Sequence, residues 1–156
     1  MQVSPSIGPW WAALTTWAVV NVVNVLQAIG FLSRISSGSM VLQRRLGYVM
    51  MALALPVTVA LVAFLRAGSH WLQWLGLLLY LAFLMFMLCV DYVWQIEFRS
   101  PMRPALLVPF LLLFFGSILL MGLPMFGMDR RLWLVTVGTT VLLLGSMVLA
   151  MQRGVG

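Results

Sequence analysis

Lysine is absent from this chain, histidine and cysteine occur once each, as His70 and Cys89, and only three residues are acidic. Each scarcity removes a chemistry. Without lysine there is no Schiff base for covalent retinal or pyridoxal phosphate. A single histidine cannot supply the two axial imidazoles of a membrane b-type haem. A single cysteine allows neither an internal disulfide nor a CxxC redox pair. The largest shortage is charge itself: 8% of the 156 residues are Asp, Glu, Lys or Arg, against about 25% in a soluble domain. A domain this small exposes much of its surface, yet 63% of its residues are hydrophobic. Lipid, not water, is the solvent for most of the chain.

The few charges are clumped, and they leave uncharged stretches at 1–33, 46–65, 67–90, 104–128 and 132–152. Each is long enough to cross a hydrocarbon core of about 30 Å, which takes roughly 20 residues of helix. Membrane strands need alternation over about ten residues, and these stretches are continuously apolar. The chain therefore reads as an all-α, polytopic integral membrane protein, one transmembrane helical domain over 1–156. Its five helices are expected at about 9–33, 46–65, 70–94, 104–127 and 132–151. Pro9 suits a first helical turn, and Trp10 and Trp11 suit an interfacial anchor. Pro56 predicts a kink in the second helix. Gly68 is placed as a C-terminal cap and Ser69 as an N-terminal cap, and Ser100-Pro101 reads as a cap and first-turn proline. The link at 128–131 is so short that the last two helices must be antiparallel neighbours, with Asp129 capping the second of them. Five helices do not divide into two equal repeats.

The formal net charge is +6, and every basic residue is arginine. In a soluble protein this would suggest nucleic acid, but here the arginines flank apolar spans, so nucleic-acid binding is not expected. Arg34, Arg44, Arg45, Arg99, Arg103 and Arg153 fall on one side of the alternating topology, and Arg66, Arg130 and Arg131 on the other. The positive-inside rule places the N-terminus outside and the C-terminus in the cytoplasm. The stretch before Trp10 has no basic residue, and the first apolar run exceeds a signal-peptide core. It reads as a retained helix, in a plasma membrane or another energy-conserving membrane.

Four constellations bear on function. Asn21, Asn24 and Gln27 recur every three residues at mid-membrane depth in the first helix. Amides in hydrocarbon cost several kcal/mol when unpaired. They must meet a ligand or lipid headgroup, or else hydrogen-bond other helices, with Thr15, Thr16, Thr58 and Thr139 as candidate partners. Asp91 lies near the cytoplasmic end of the third helix and is followed by Glu97, Arg99 and Arg103. This interfacial cluster either binds a phosphate or headgroup or forms a structural ion pair. Met121, Met125 and Met128, with His70 on the same side, have donor atoms suited to Cu(I), although methionine stripes are more often packing. No metal or other cofactor is assigned. Gly138 and Gly145, seven apart in the last helix with Thr139 and Ser146 beside them, make a groove for close helix packing within the chain or between chains. Cys89, deep in an apolar run, reads as an inert packing residue.

The function expected from these features is that of a non-catalytic small membrane subunit, packing with membrane lipids and with other membrane protein chains in a larger complex. Its short loops offer little for recognition or chemistry. An oligomeric small-solute or ion transporter is the alternative. It would use Asn21, Asn24 and Gln27 to replace hydration and Asp91 as a gate or proton-coupled group. A third possibility is a lipid-headgroup-modifying enzyme around Asp91, Glu97, Arg99 and Arg103. It lacks a nucleophile and base at recognisable spacing, so the chain reads more as a non-enzyme than as an enzyme.

Overall fold

A computed structural model describes residues 8–37, 41–96 and 103–154. It is all-helical, with no strand among the described residues, and five of its helical segments are long and apolar enough to cross a membrane. In chain order the elements are α1 (Trp10–Ser37), α2 (Val41–Ala52), α3 (Ala54–Arg66), α4 (Trp71–Met87) continuing into a π-helical segment (Leu88–Val93), α5 (Pro104–Met128) and α6 (Arg130–Gln152).

The helix ends show what the local sequence controls. The Pro9 carbonyl accepts from the Ala12 and Ala13 amides and opens α1. The helix then runs four residues past the expected end at 33. Ser33 and Ser36 fold their hydroxyls back onto the carbonyls of Gly30 and Ser33, and Arg34 is buried within the bundle. The serine hydroxyls in this polar stretch are thus satisfied by carbonyls of their own helix. Likewise α2 begins at Val41, so Arg44 and Arg45 lie inside a helix and not before it.

Pro56 produces the expected interruption. It has no N–H for the Ala52 carbonyl, and the helix is interrupted at Leu53, whose amide is shared between the Val49 and Met50 carbonyls. The buried Tyr80 hydroxyl donates to the Met50 carbonyl at 3.2 Å, so α4 bonds to the backbone beside the break. At the next turn Gly68 takes φ +60, and the Ser69 amide bonds the Phe64 carbonyl, a glycine-terminated helix end. The N-cap of α4 is His70 and not Ser69: His70 Nδ1 accepts from the Leu72 amide, while the Ser69 hydroxyl is buried without a partner. Asp129 caps α6 as its sequence position implies, accepting from Arg131 and Leu132. The Ser100-Pro101 cap falls outside the described residues.

Two tight pairs organise the bundle, α4 with α5 and α1 with α6, and α3 and α5 bridge them. The α4 and α5 backbones approach at Gly76, where an added Cβ would sit 2.6 Å from the Met121 amide nitrogen. Farther along, Phe83 stacks between Phe110 and Phe114, with both ring centroids at 5.1 Å. Close approach at a glycine and interlocked rings are what hold helices together in lipid, where burial of apolar surface gives no drive of its own. Because α1 touches α2, α3, α5 and α6, its polar groups face protein on several sides.

Candidate functional site

The polar stripe of α1 meets α6. Residues three apart on a helix fall about 60° short of a full turn, so Asn21, Asn24 and Gln27 drift around α1 and do not share one neighbour. The Asn21 side-chain amide donates to the Trp17 carbonyl at 2.7 Å and to Thr136 Oγ1 at 3.1 Å, and its oxygen accepts from Thr139 Oγ1 at 2.7 Å. Asn24 is fully buried, and its Nδ2 donates to Thr139 Oγ1 at 3.1 Å and to Thr140 Oγ1 at 3.0 Å. The Thr140 hydroxyl in turn donates to the Thr136 carbonyl at 2.8 Å. One turn outward, Trp17 Nε1 donates to the Leu132 carbonyl at 2.8 Å. Every donor in this zipper has an acceptor. The exception on the acceptor side is Asn24 Oδ1, which is buried without a donor.

Gln27 belongs to a different contact. Its Nε2 lies 3.1 Å from the Met50 sulfur, a weak acceptor. Met50 is therefore touched twice, by Gln27 from α1 at its thioether and by Tyr80 from α4 at its carbonyl. Thr139 is the one partner anticipated for the asparagines that the structure places beside them. Thr15, Thr16 and Thr58 instead bond carbonyls four residues back in their own helices. Thr136 and Thr140 were legible in principle, since 136, 139 and 140 set hydroxyls at i, i+3 and i+4 on one helix, the complement of asparagines at i and i+3.

Of the charged cluster, Asp91 and Arg103 fall among the described residues. Asp91 sits half-buried in the π-helical segment, a departure from α-geometry that often marks functional or strained positions. Arg103 is exposed at the start of α5. Glu97 and Arg99 fall outside the described residues. The charge not singled out from sequence is Arg34, which is 3% exposed and lies with its Cζ 5.7 Å from the centre of the Phe31 ring. Its signal is positional: it follows Gln27 by seven residues, on the same face of α1.

Met121 and Met125 are buried in the core, with Met128 packed at the edge of the same core. His70 is spent on capping and stacks on Trp71, with ring centroids 5.6 Å apart. Among the described residues no three of His, Cys, Asp and Glu stand close enough to hold a metal ion. Cys89 is half-buried in the π-helical segment.

In α6 the structure separates groups that adjoin in sequence. Thr136, Leu143, Ser146 and Ala150 are buried, whereas Gly138 and Gly145 face outward with no atom within 4 Å of where a Cβ would stand. Leu134, Val141 and Val148 are exposed on the same side, giving Leu134, Gly138, Val141, Gly145 and Val148 alternate steps of four and three. That is the spacing of a helix-packing seam. Comparison with known protein families, with curated proteins and with solved structures finds no match to this chain.

Proposed function

We propose that this chain is a non-catalytic integral membrane subunit that packs through the outer face of α6 against a helix of another membrane protein chain. The observation that carries this reading is the exposed seam of Leu134, Gly138, Val141, Gly145 and Val148. Large and small residues alternate at heptad-like spacing, and among the described residues no atom outside the helix's own backbone lies within 4 Å of where a Cβ on either glycine would stand. A glycine inside a helix costs about 1 kcal/mol relative to alanine, and close approach by a second helix is the usual return on that cost in membranes. The amide stripe supports the same reading. Asn21 and Asn24 are engaged by α6 threonines, which is structural use of groups that transport would need along an aqueous path. The arginine distribution supports an outside N-terminus and a cytoplasmic C-terminus, in a plasma or other energy-conserving membrane.

Native mass spectrometry of the protein, taken from its own membrane in mild detergent, tests the proposal. A complex of fixed stoichiometry with a second membrane chain is expected, lost in the double variant Gly138→Leu, Gly145→Leu while the chain itself remains folded. A monomer, or a complex that survives the double substitution unchanged, overturns it. A homo-oligomer that conducts solute in liposomes would move the function to transport.

A further inference from the structure

On α1 and α3, a groove of about 550 Å³ opens toward the lipid at the end of the bundle that carries Arg66. Trp11 forms one wall, and Thr58, Val59, Val62 and Ala63 form the other, with Arg66 at the mouth. Trp11, Val59, Val62 and Arg66 are exposed. The walls are therefore apolar and open sideways to the bilayer, while the one charge stands at the rim.

Among the described residues nothing hydrogen-bonds or ion-pairs with Arg66. The nearest acid in sequence on that end of the bundle, Asp129, is committed to the first-turn amides of α6. Trp11 Nε1 likewise has no acceptor among the described residues. Two donors without partners among the described residues, one of them a guanidinium suited to bidentate contact with phosphate oxygens, thus stand exposed beside an apolar trench. From Thr58 to Arg66 the trench follows two turns of helix, about 12 Å at 1.5 Å per residue.

We propose that this groove binds one anionic phospholipid, its phosphate on Arg66 and the Trp11 indole N–H and one acyl chain along Val59, Val62 and Ala63. The anion supplies a counter-charge that none of the described residues provides there, and the acyl chain covers the exposed valines. The site lies on different helices from the α6 seam and does not depend on the subunit reading.

The test is lipid retention by the full-length protein in detergent, titrated with phosphatidylglycerol and, separately, with phosphatidylcholine, and read by native mass spectrometry. One phosphatidylglycerol per chain is expected, preferred about fivefold, the equivalent of the about 1 kcal/mol that one arginine gains from anionic lipid. Arg66→Gln should remove that preference. Val62→Trp, which fills the trench and leaves the charge, should lower retention of both lipids. Arg131→Gln, which removes a charge outside the groove, should change neither. Helicity and thermal unfolding identify any variant that fails to fold, and Arg66→Lys then serves as the milder substitution, expected to keep a reduced preference. Retention unaltered in both Arg66→Gln and Val62→Trp overturns the proposal. So does equal loss in Arg131→Gln, which would mean diffuse attraction of anionic lipid, or displacement of the lipid by inorganic phosphate alone.

Discussion

Thr139→Val and Asn24→Leu each delete two hydrogen bonds from the α1–α6 zipper, yet the geometry predicts unequal consequences. Thr139 Oγ1 donates to Asn21 Oδ1 and accepts from Asn24 Nδ2. Interhelical hydrogen bonds in membranes average about 0.6 kcal/mol, so the two lost bonds amount to about 1.2 kcal/mol. Valine also leaves the half-buried Asn21 Oδ1 with no donor, and an acceptor orphaned away from water adds about 1 kcal/mol. Thr139→Val should therefore destabilise the chain by about 2 kcal/mol. Asn24→Leu loses its bonds to Thr139 and Thr140, but both hydroxyls keep acceptors of their own, Asn21 Oδ1 and the Thr136 carbonyl. It also removes Asn24 Oδ1, which is already buried without a donor. Gain and loss nearly cancel, and the net change should lie within about 0.5 kcal/mol of zero. Reversible unfolding in mixed micelles of fixed composition, or steric trapping in bicelles, resolves that difference. The double variant should cost less than the sum of the singles by about 0.6 kcal/mol, the bond counted twice. If Asn24→Leu proves as costly as Thr139→Val, or costlier, the hydrogen-bond accounting is wrong and Asn24 has a role that the zipper does not describe.

The glycines make the opposite contrast. Gly76→Ala would press a Cβ to 2.6 Å from the Met121 amide nitrogen and should destabilise the chain by about 2 kcal/mol or more through forced separation of α4 and α5, while Gly138→Ala meets nothing and should stabilise the isolated chain by up to about 1 kcal/mol; the same unfolding assay ranks them. Tyr80→Phe removes the donor to the Met50 carbonyl and should cost about 1 kcal/mol, with faster amide exchange around Leu53. Pro56→Ala restores an N–H to the break at Leu53 and should slow exchange there, joining α2 to α3 as one regular helix. Trp17→Phe deletes the bond to the Leu132 carbonyl and should lower stability by about 1 kcal/mol, measured in the same way.

The number of spanning helices, the break near Pro56, the Gly68 end and the Asp129 cap were all readable from local sequence. Each depends on near neighbours: apolar length, a missing N–H, a positive φ, a carboxylate two residues before a free amide. What depends on distant residues was not readable. Nothing local separates Thr139, which joins Asn21 and Asn24, from Thr58, which bonds its own helix. Gly76 and Gly138 look alike in sequence, but one touches the backbone of α5 and the other faces outward. The ends of α1 and α2 were placed too far inside because arginine and serine were read as leaving the helix. The structure instead buries Arg34 and folds the serine hydroxyls onto the backbone.

The placement of the amides follows from topology. Helices α5 and α6 are joined through a single residue, Asp129, so their alignment follows from the chain itself. Helices α1 and α6 run parallel and are remote in sequence, and their bonds keep a nearly constant offset: Trp17 to Leu132, Asn21 to Thr136 and Asn24 to Thr139 are each 115 residues apart. No loop sets that alignment, and in lipid a pair of smoothly apolar helices would slide with little penalty. Sliding α6 by four residues one way would set Asn24 against Leu143 and Leu144, and the other way would set Asn21 against Leu132 and Val135. Either slip strands an amide in hydrocarbon at a cost of several kcal/mol. Of these three alignments, only the observed one meets both asparagines with threonine. Asn21 and Asn24 are thus consumed in fixing which way α6 faces, and that rotation turns Gly138, Val141 and Gly145 outward, onto the face through which we propose that α6 packs.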